Sequence, residues 1–106
     1  MVKNLSVADL KALLDKGTEF KFIDVREKWE HDYSKIDGAD LVPLGTFVAH
    51  SKTLNKDEKI VIYCHHGNRS FSACNYLVSN GFTDVYNLYG GIDAWSIDID
   101  SSVQRY

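Results

Sequence analysis

Seven consecutive residues concentrate the chemistry available to this chain: Cys64-His65-His66-Gly67-Asn68-Arg69-Ser70. Cysteine is a strong nucleophile, but only as its thiolate, so its surroundings decide whether it reacts. Just before it runs Lys59-Ile60-Val61-Ile62-Tyr63, short and nearly all apolar, as in a strand covered on both faces. After it, Ser70 to Asn80 has the composition of a helix, with Gly81 to end it. A cysteine at such a junction meets first-turn amides without intrahelical partners and the positive end of a helix dipole. Amides turned inward by a tight loop make an anion cradle. Gly67 allows the backbone angles that such a loop needs. Arg69 adds a permanent charge and a planar fork of donors for an oxyanion. These surroundings favour a thiolate and suit attack on a donor that carries oxyanions.

The elements that must hold this loop follow from local signals. Ser6, with Asp9 three residues on, starts a helix carrying Leu10, Leu13 and Leu14, and Gly17 stops it. Phe20 to Asp24 reads as a strand, and Arg26 to Tyr33 as one or two helical turns. Asp37-Gly38 turns the chain, Leu41-Val42-Pro43 is extended, and Leu44 to about Leu54 is helical in character. Asp84 to Leu88 is a further strand, Gly90-Gly91 a turn, and Ile92 to Trp95 opens a last helix. Helices alternating with strands predict an α/β domain with a mostly parallel sheet covered on both faces. Sites in such sheets form where strands end and loops lead into helices. The segment 98–106 is expected to fray.

Bulk properties narrow the functions. A chain of 106 residues fits one domain. Its net charge of −3 argues against a nucleic-acid partner, and no segment has the length and apolarity of a membrane span. The first residues lack the apolar run of a signal peptide, and two cysteines, Cys64 and Cys74, are too few for a disulfide scaffold. A reducing cytoplasm is the expected location. No cofactor is called for.

Other residues have plainer roles. Cys74 shares helical spacing with Phe71, Leu77 and Val78 and reads as core. His65 and His66 are adjacent and cannot easily aim at one ion with a third ligand, so no metal is expected; they read as rim residues that modulate charge. Asp24 reads as a cap or ion-pair partner at a strand end. For Arg26, structural and substrate-facing roles stand equal. Ser70 reads as an N-cap whose hydroxyl could also reach the sulfur. Trp29 and Trp95 read as packing residues.

Tyr63-Cys64-His65-His66-Gly67-Asn68-Arg69-Ser70 resembles the active loop of the single-domain rhodanese family, in which four residues separate Cys and Arg. Three further segments match in order: Ile23-Asp24-Val25-Arg26-Glu27; Ile36-Asp37-Gly38-Ala39 with Val42-Pro43-Leu44; and Val85 through Trp95, with Gly90-Gly91 and Trp95 in place. The likeness covers about residues 5–97. One departure is Ser34-Lys35, where the family often has Gly-His. The resemblance implies a sheet of about five strands and a sulfurtransferase whose Cys64 carries a persulfide. The donor would be thiosulfate or a persulfide, and the acceptor cyanide or a thiol, including a protein thiol. It implies that the amides from His65 to Ser70 cradle the sulfur and that Arg69 binds the donor's anionic end or braces the loop. Asp24 and Arg26 then support the fold around it. An alternative within the family is a persulfide sensor, or a carrier or regulatory module acting with a protein partner. Related phosphatases and arsenate reductases place five residues between Cys and Arg. The four here (His65, His66, Gly67 and Asn68) narrow the cradle toward a single sulfur atom.

Overall fold

Strand β4, Ile60–Tyr63, is the axis of the molecule, and all four of its side chains are buried. The computed structural model describes residues 1–106 throughout. Around β4 lie β1 (Lys3–Leu5), β2 (Lys21–Asp24), β3 (Asp40–Leu41) and β5 (Val85–Leu88), in the order β1-β5-β4-β2-β3. Every pairing is parallel, with Ile23 opposite Ile62 and Ile62 opposite Asn87. Helices α1 (Val7–Asp15), α2 (Lys28–Tyr33), α3 (Leu44–Ser51), α4 (Asn68–Ser79) and α5 (Gly91–Asp98) connect them. Side chains alternate along each strand and so divide the core in two. Ile23, Ile60 and Ile62 face α3 and α4, with Phe47, Cys74 and Leu77. Phe22, Val61 and Tyr63 face α1 and α5, with Leu10, Ile92 and Trp95. The α/β class and the parallel sheet covered on both faces are as the sequence predicts, and the five strands are as the family resemblance implies.

Local departures have local causes. Strand β1 carries no readable pattern, because only Leu5 of its three residues is buried and its partner Leu88 lies far along the chain. Helix α2 starts at Lys28 rather than Arg26. Glu27 is its N-cap, and Glu27 and Glu30 exchange side-chain to backbone hydrogen bonds. Helix α3 stops at Ser51, short of Leu54. Helix α4 starts at Asn68, two residues early, because Gly67 takes a left-handed conformation (φ +119°) and caps it. Ser70 is therefore inside the first turn and is not the N-cap. The buried face becomes Ser70, Ala73, Cys74 and Leu77, and Phe71 is exposed.

The segment after α5 packs back onto the domain through its last two residues. Arg105 Nε donates to Asp93 Oδ1 at 2.9 Å, and the Tyr106 hydroxyl accepts from Arg26 Nη1 at 2.9 Å. Its anchor is a buried ion pair. Asp24 and Arg26 are both fully buried, so every donor and acceptor on them needs a partner. Arg26 Nη2 donates to Asp24 Oδ2 at 2.8 Å and to the Ser34 carbonyl at 2.6 Å, and Nε donates to Asp24 Oδ1 at 3.0 Å. Arg26 Nη1 reaches the Glu30 carbonyl at 3.3 Å. The Tyr63 hydroxyl donates to Asp24 Oδ2 at 3.1 Å, and His31 Nδ1 lies 2.9 Å from the same oxygen. A histidine thus reaches this pair from α2, although the Gly-His position is Ser34-Lys35. Burial, then Asp24 beside it, raises the Tyr63 pKa and keeps its proton in place for this bond. Removing one member leaves the other charged and buried. Arg26→Ala is expected to lower the unfolding free energy by about 3–5 kcal/mol, measured by urea denaturation; a loss below about 1 kcal/mol would contradict this account.

Candidate active site

Cys64 follows β4 directly and is 1% exposed. Its Sγ receives the Gly67 amide N–H at 3.1 Å and the Ser70 amide N–H at 3.4 Å. Both donors belong to the turn that starts α4, so the helix end and the cradle are one feature. Ser70 Oγ lies 3.4 Å from Sγ and donates to Asn87 Oδ1 at 2.5 Å. Asn87 Nδ2 in turn donates to the Gly67 carbonyl at 3.2 Å, which fixes the amide's orientation. With the Ser70 proton committed to Asn87, the contact with the thiol runs from S–H to Oγ. Against the thiolate, Ser70 must turn its proton away from Asn87. The two backbone amides need no such change and suit the charged form.

The far end of the loop is held by a second ion pair. Arg69 Nη1 and Nη2 meet Glu30 Oε1 and Oε2 at 2.6 and 2.9 Å, a bidentate fork. Glu30 also accepts from its own helix's Glu27 amide at 2.9 Å and from the Tyr106 hydroxyl at 2.7 Å. Arg69, then the Glu27 amide and Tyr106, hold the Glu30 carboxyl down to about 2 against the cost of burial. The Arg69 side chain stays 36% exposed. Arg26 is buried with Asp24 and presents no side-chain surface to solvent.

Helix α5 closes the near end. Its Ile92 and Asp93 amides donate to the carbonyls of Cys64 and His65 at 3.0 and 3.2 Å. That contact requires Gly91: a Cβ there would lie 2.5 Å from the Cys64 carbonyl oxygen and 2.3 Å from that of His65. His65 is half-buried between two rings, His66 and Tyr106, each at 4.0 Å. Burial and then His66 lower its pKa. His66 and Asn68 are exposed, so both histidines and Asn68 lie on the rim. Trp95 is core, whereas Trp29 is exposed and edge-on to Tyr106.

The loop residues read from sequence are therefore gathered at one place. Four others were not read as part of it: Glu30, Asn87, Gly91 and Tyr106. Within Arg26 to Tyr33 nothing in the sequence singles out Glu30, and Gly91 reads only as part of a Gly90-Gly91 turn. The fold also brings Asp93 to the two histidines, so that His65, His66 and Asp93 have ligand atoms within 4.8 Å of one another. Sequence spacing gave no hint of this third potential ligand. The two imidazoles are stacked, and the Asp93 carboxylate is also paired with Arg105, through Nε at 2.9 Å and Nη2 at 3.4 Å. The largest surface hollow, about 490 Å³ and lined by Glu19, Phe20, Lys21, Glu58 and Lys59, lies at the opposite ends of β2 and β4, away from Cys64. No helix is long and apolar enough to cross a membrane.

A parallel α/β sheet with a cysteine at the end of its central strand, seated in helix-start amides, defines a cysteine-loop domain. Residues 6–98 match the model of the rhodanese-like domain, and the chain belongs to that family. It is 32% identical over 103 residues to the thiosulfate sulfurtransferase GlpE of Pseudoalteromonas translucida, covering 97% of each chain. It is 37% identical over 94 residues to the putative sulfurtransferase YtwF of Bacillus subtilis, covering 89% of this chain and 90% of that one. It also spans 38% of the longer Rhodanese-like/PpiC domain-containing protein 12, chloroplastic, of Arabidopsis thaliana, at 34% identity and over 99% of this chain. A rhodanese-like domain protein of Staphylococcus aureus superposes with a TM-score of 0.83, at 31% identity and 98% coverage of both chains.

Two expectations follow from the ends of the loop. Gly91→Ala forces a Cβ against two carbonyls, so it should destabilise the domain by about 2–4 kcal/mol in urea unfolding; a change below about 0.5 kcal/mol would show that α5 does not abut the loop. For Glu30, the folded pKa of about 2 lies below the ordinary carboxylate value, so its stabilisation is present above that ordinary value and is lost as pH falls toward about 2. The stability gap between the native protein and Glu30→Gln should be widest near neutral pH and should close between about pH 5 and pH 2; a gap independent of pH would contradict the pairing.

Proposed function

We propose that this chain is a sulfurtransferase that moves sulfane sulfur from thiosulfate or a persulfide donor to a thiol or cyanide through a persulfide on Cys64. The observation that carries this reading is the pair of amides, Gly67 and Ser70, aimed at Cys64 Sγ inside a loop with only four residues between Cys64 and Arg69. Its similarity to proteins named as sulfurtransferases supports the same reaction class.

The Cys64 thiolate attacks the outer sulfur of thiosulfate. The S–S bond of the donor breaks, sulfite leaves with the bonding pair, and Cys64 holds a persulfide with its charge on the outer sulfur. The amides from His65 to Ser70 receive that charge without reorganising. An acceptor thiolate or cyanide then attacks the outer sulfur and returns Cys64 to thiolate. Arg69, with two nitrogens committed to Glu30 but its side chain part-exposed, offers its remaining N–H groups to the donor's anionic end. Asp24 and Arg26 hold the base of the loop. Cys74 is no alternative nucleophile, since burial pushes its thiol up to about 12. Two unpaired thiols fit a reducing cytoplasm.

The short loop also separates sulfur from phosphate. With one residue fewer than the phosphatase spacing, the amides already converge on a single sulfur atom and leave little room for three phosphate oxygens. Incubation with thiosulfate should add one sulfur mass to the peptide containing Cys64, and Cys64→Ser should abolish it, by intact and peptide mass spectrometry. Sulfur on Cys74 or on neither cysteine, or turnover of an aryl phosphate at a rate comparable with thiosulfate, would sink the proposal.

A further inference from the structure

Residues beyond α5 contribute one side chain to the neighbourhood of the nucleophile. The Tyr106 ring stacks on His65, the residue after Cys64, at 4.0 Å and 9°. The Tyr106 hydroxyl accepts from Arg26 Nη1 at 2.9 Å and donates to Glu30 Oε2 at 2.7 Å. Glu30 holds Arg69. Trp29 and Tyr33 pack edge-on against the same ring, at 5.8 and 5.9 Å, so its plane is set from the α2 side as well. Arg105, one residue earlier, is tied to Asp93 of α5, whose amide donates to the His65 carbonyl.

We infer that Tyr106 is a positioning residue for the cysteine loop, holding His65 at its start by stacking and Arg69 at its end through Glu30. This rests on the sulfurtransferase reading and adds to it a residue outside the loop and outside the matched segment 6–98. Three facts carry it. The hydroxyl's donor and acceptor capacities are both used, each toward a charged group that lies in or directly supports the site. The Tyr106 proton is retained, because burial pushes the hydroxyl up to about 12, so it can donate to Glu30 across the physiological range. Finally, the stack and the hydrogen bond act on opposite ends of one seven-residue loop, so a single side chain limits the motion of both. Tyr106 makes no hydrogen bond to the Cys64 sulfur, and it acts through His65 and Glu30.

The two contacts can be tested apart. Tyr106→Phe keeps the stack and removes the hydroxyl, whereas Tyr106→Ala removes both. Arg69 contacts the donor's anion before and during reaction, so loosening it should weaken donor binding more than it slows chemistry. Tyr106→Phe is expected to raise KM for thiosulfate about threefold with kcat within about twofold, and Tyr106→Ala to lower kcat/KM about tenfold. Since the hydroxyl reaches Arg69 only through Glu30, Tyr106→Phe added to Glu30→Gln should raise KM for thiosulfate little beyond Glu30→Gln alone. In amide ¹⁵N–¹H spectra of the Tyr106→Phe variant, the Gly67 and Ser70 signals should move although neither residue contacts Tyr106. A variant that melts earlier but keeps the native KM and kcat, full additivity with Glu30→Gln, or unmoved Gly67 and Ser70 signals would overturn the inference. Should the native protein transfer no sulfur from any donor, the sulfurtransferase reading fails instead, and the Gly67 and Ser70 signals alone decide the role of Tyr106.

Discussion

A buried charge organises this molecule. Asp24 at the end of β2 and Arg26 two residues later are sealed from solvent. In that setting an unpaired proton donor or lone pair costs more than most single contacts return. Partners must therefore come from wherever the chain can supply them: Tyr63 on β4, His31 and the Glu30 carbonyl on α2, the Ser34 carbonyl, and Tyr106. Each partner brings its own element with it. The pair thus fixes α2 against the ends of the central strands and draws in the segment after α5.

The placement of α2 then sets the site. Glu30 lies on its buried side and grips Arg69 with both carboxylate oxygens, which ties the start of α4 to α2. Across the sheet, α5 approaches closely enough for its first amides to bind the carbonyls of Cys64 and His65, an approach that only glycine at position 91 permits. Between these two clamps the backbone from Cys64 to Ser70 has little freedom. The amides of Gly67 and Ser70 are left aimed at the sulfur before any substrate arrives, and such preorganisation is what makes dipoles effective in stabilising developing charge.

What was legible in the sequence was local. Hydrophobic runs marked β2, β4 and β5, cap residues marked α1, and glycines marked the ends of α1 and α4. The strand-loop-helix order alone placed Cys64 at an amide-rich junction. What could not be read were pairings between distant residues. Strand β1 exists because three residues find the edge of β5, and Ser70 turned inward because Asn87, seventeen residues on, accepts its proton. Helix α4 was expected to bury Phe71; the Gly67 cap and the pull on Ser70 rotated that face by one residue.

The sequence by itself determined the candidate nucleophile, the length of its loop and the sheet that presents it. All three depend on residue types at short separations: a cysteine after an apolar strand, four residues before an arginine, a glycine where the backbone must turn. Only the tertiary structure decided what the charged and aromatic residues do. Arg26 is sealed against Asp24, Arg69 has Glu30 as its partner, and Tyr106 bridges Arg26 and Glu30. Charges and hydrogen-bonding groups carry no periodicity that names their partners. Once buried, they are assigned by the requirement that each be satisfied, and only the assembled fold shows which groups lie within reach.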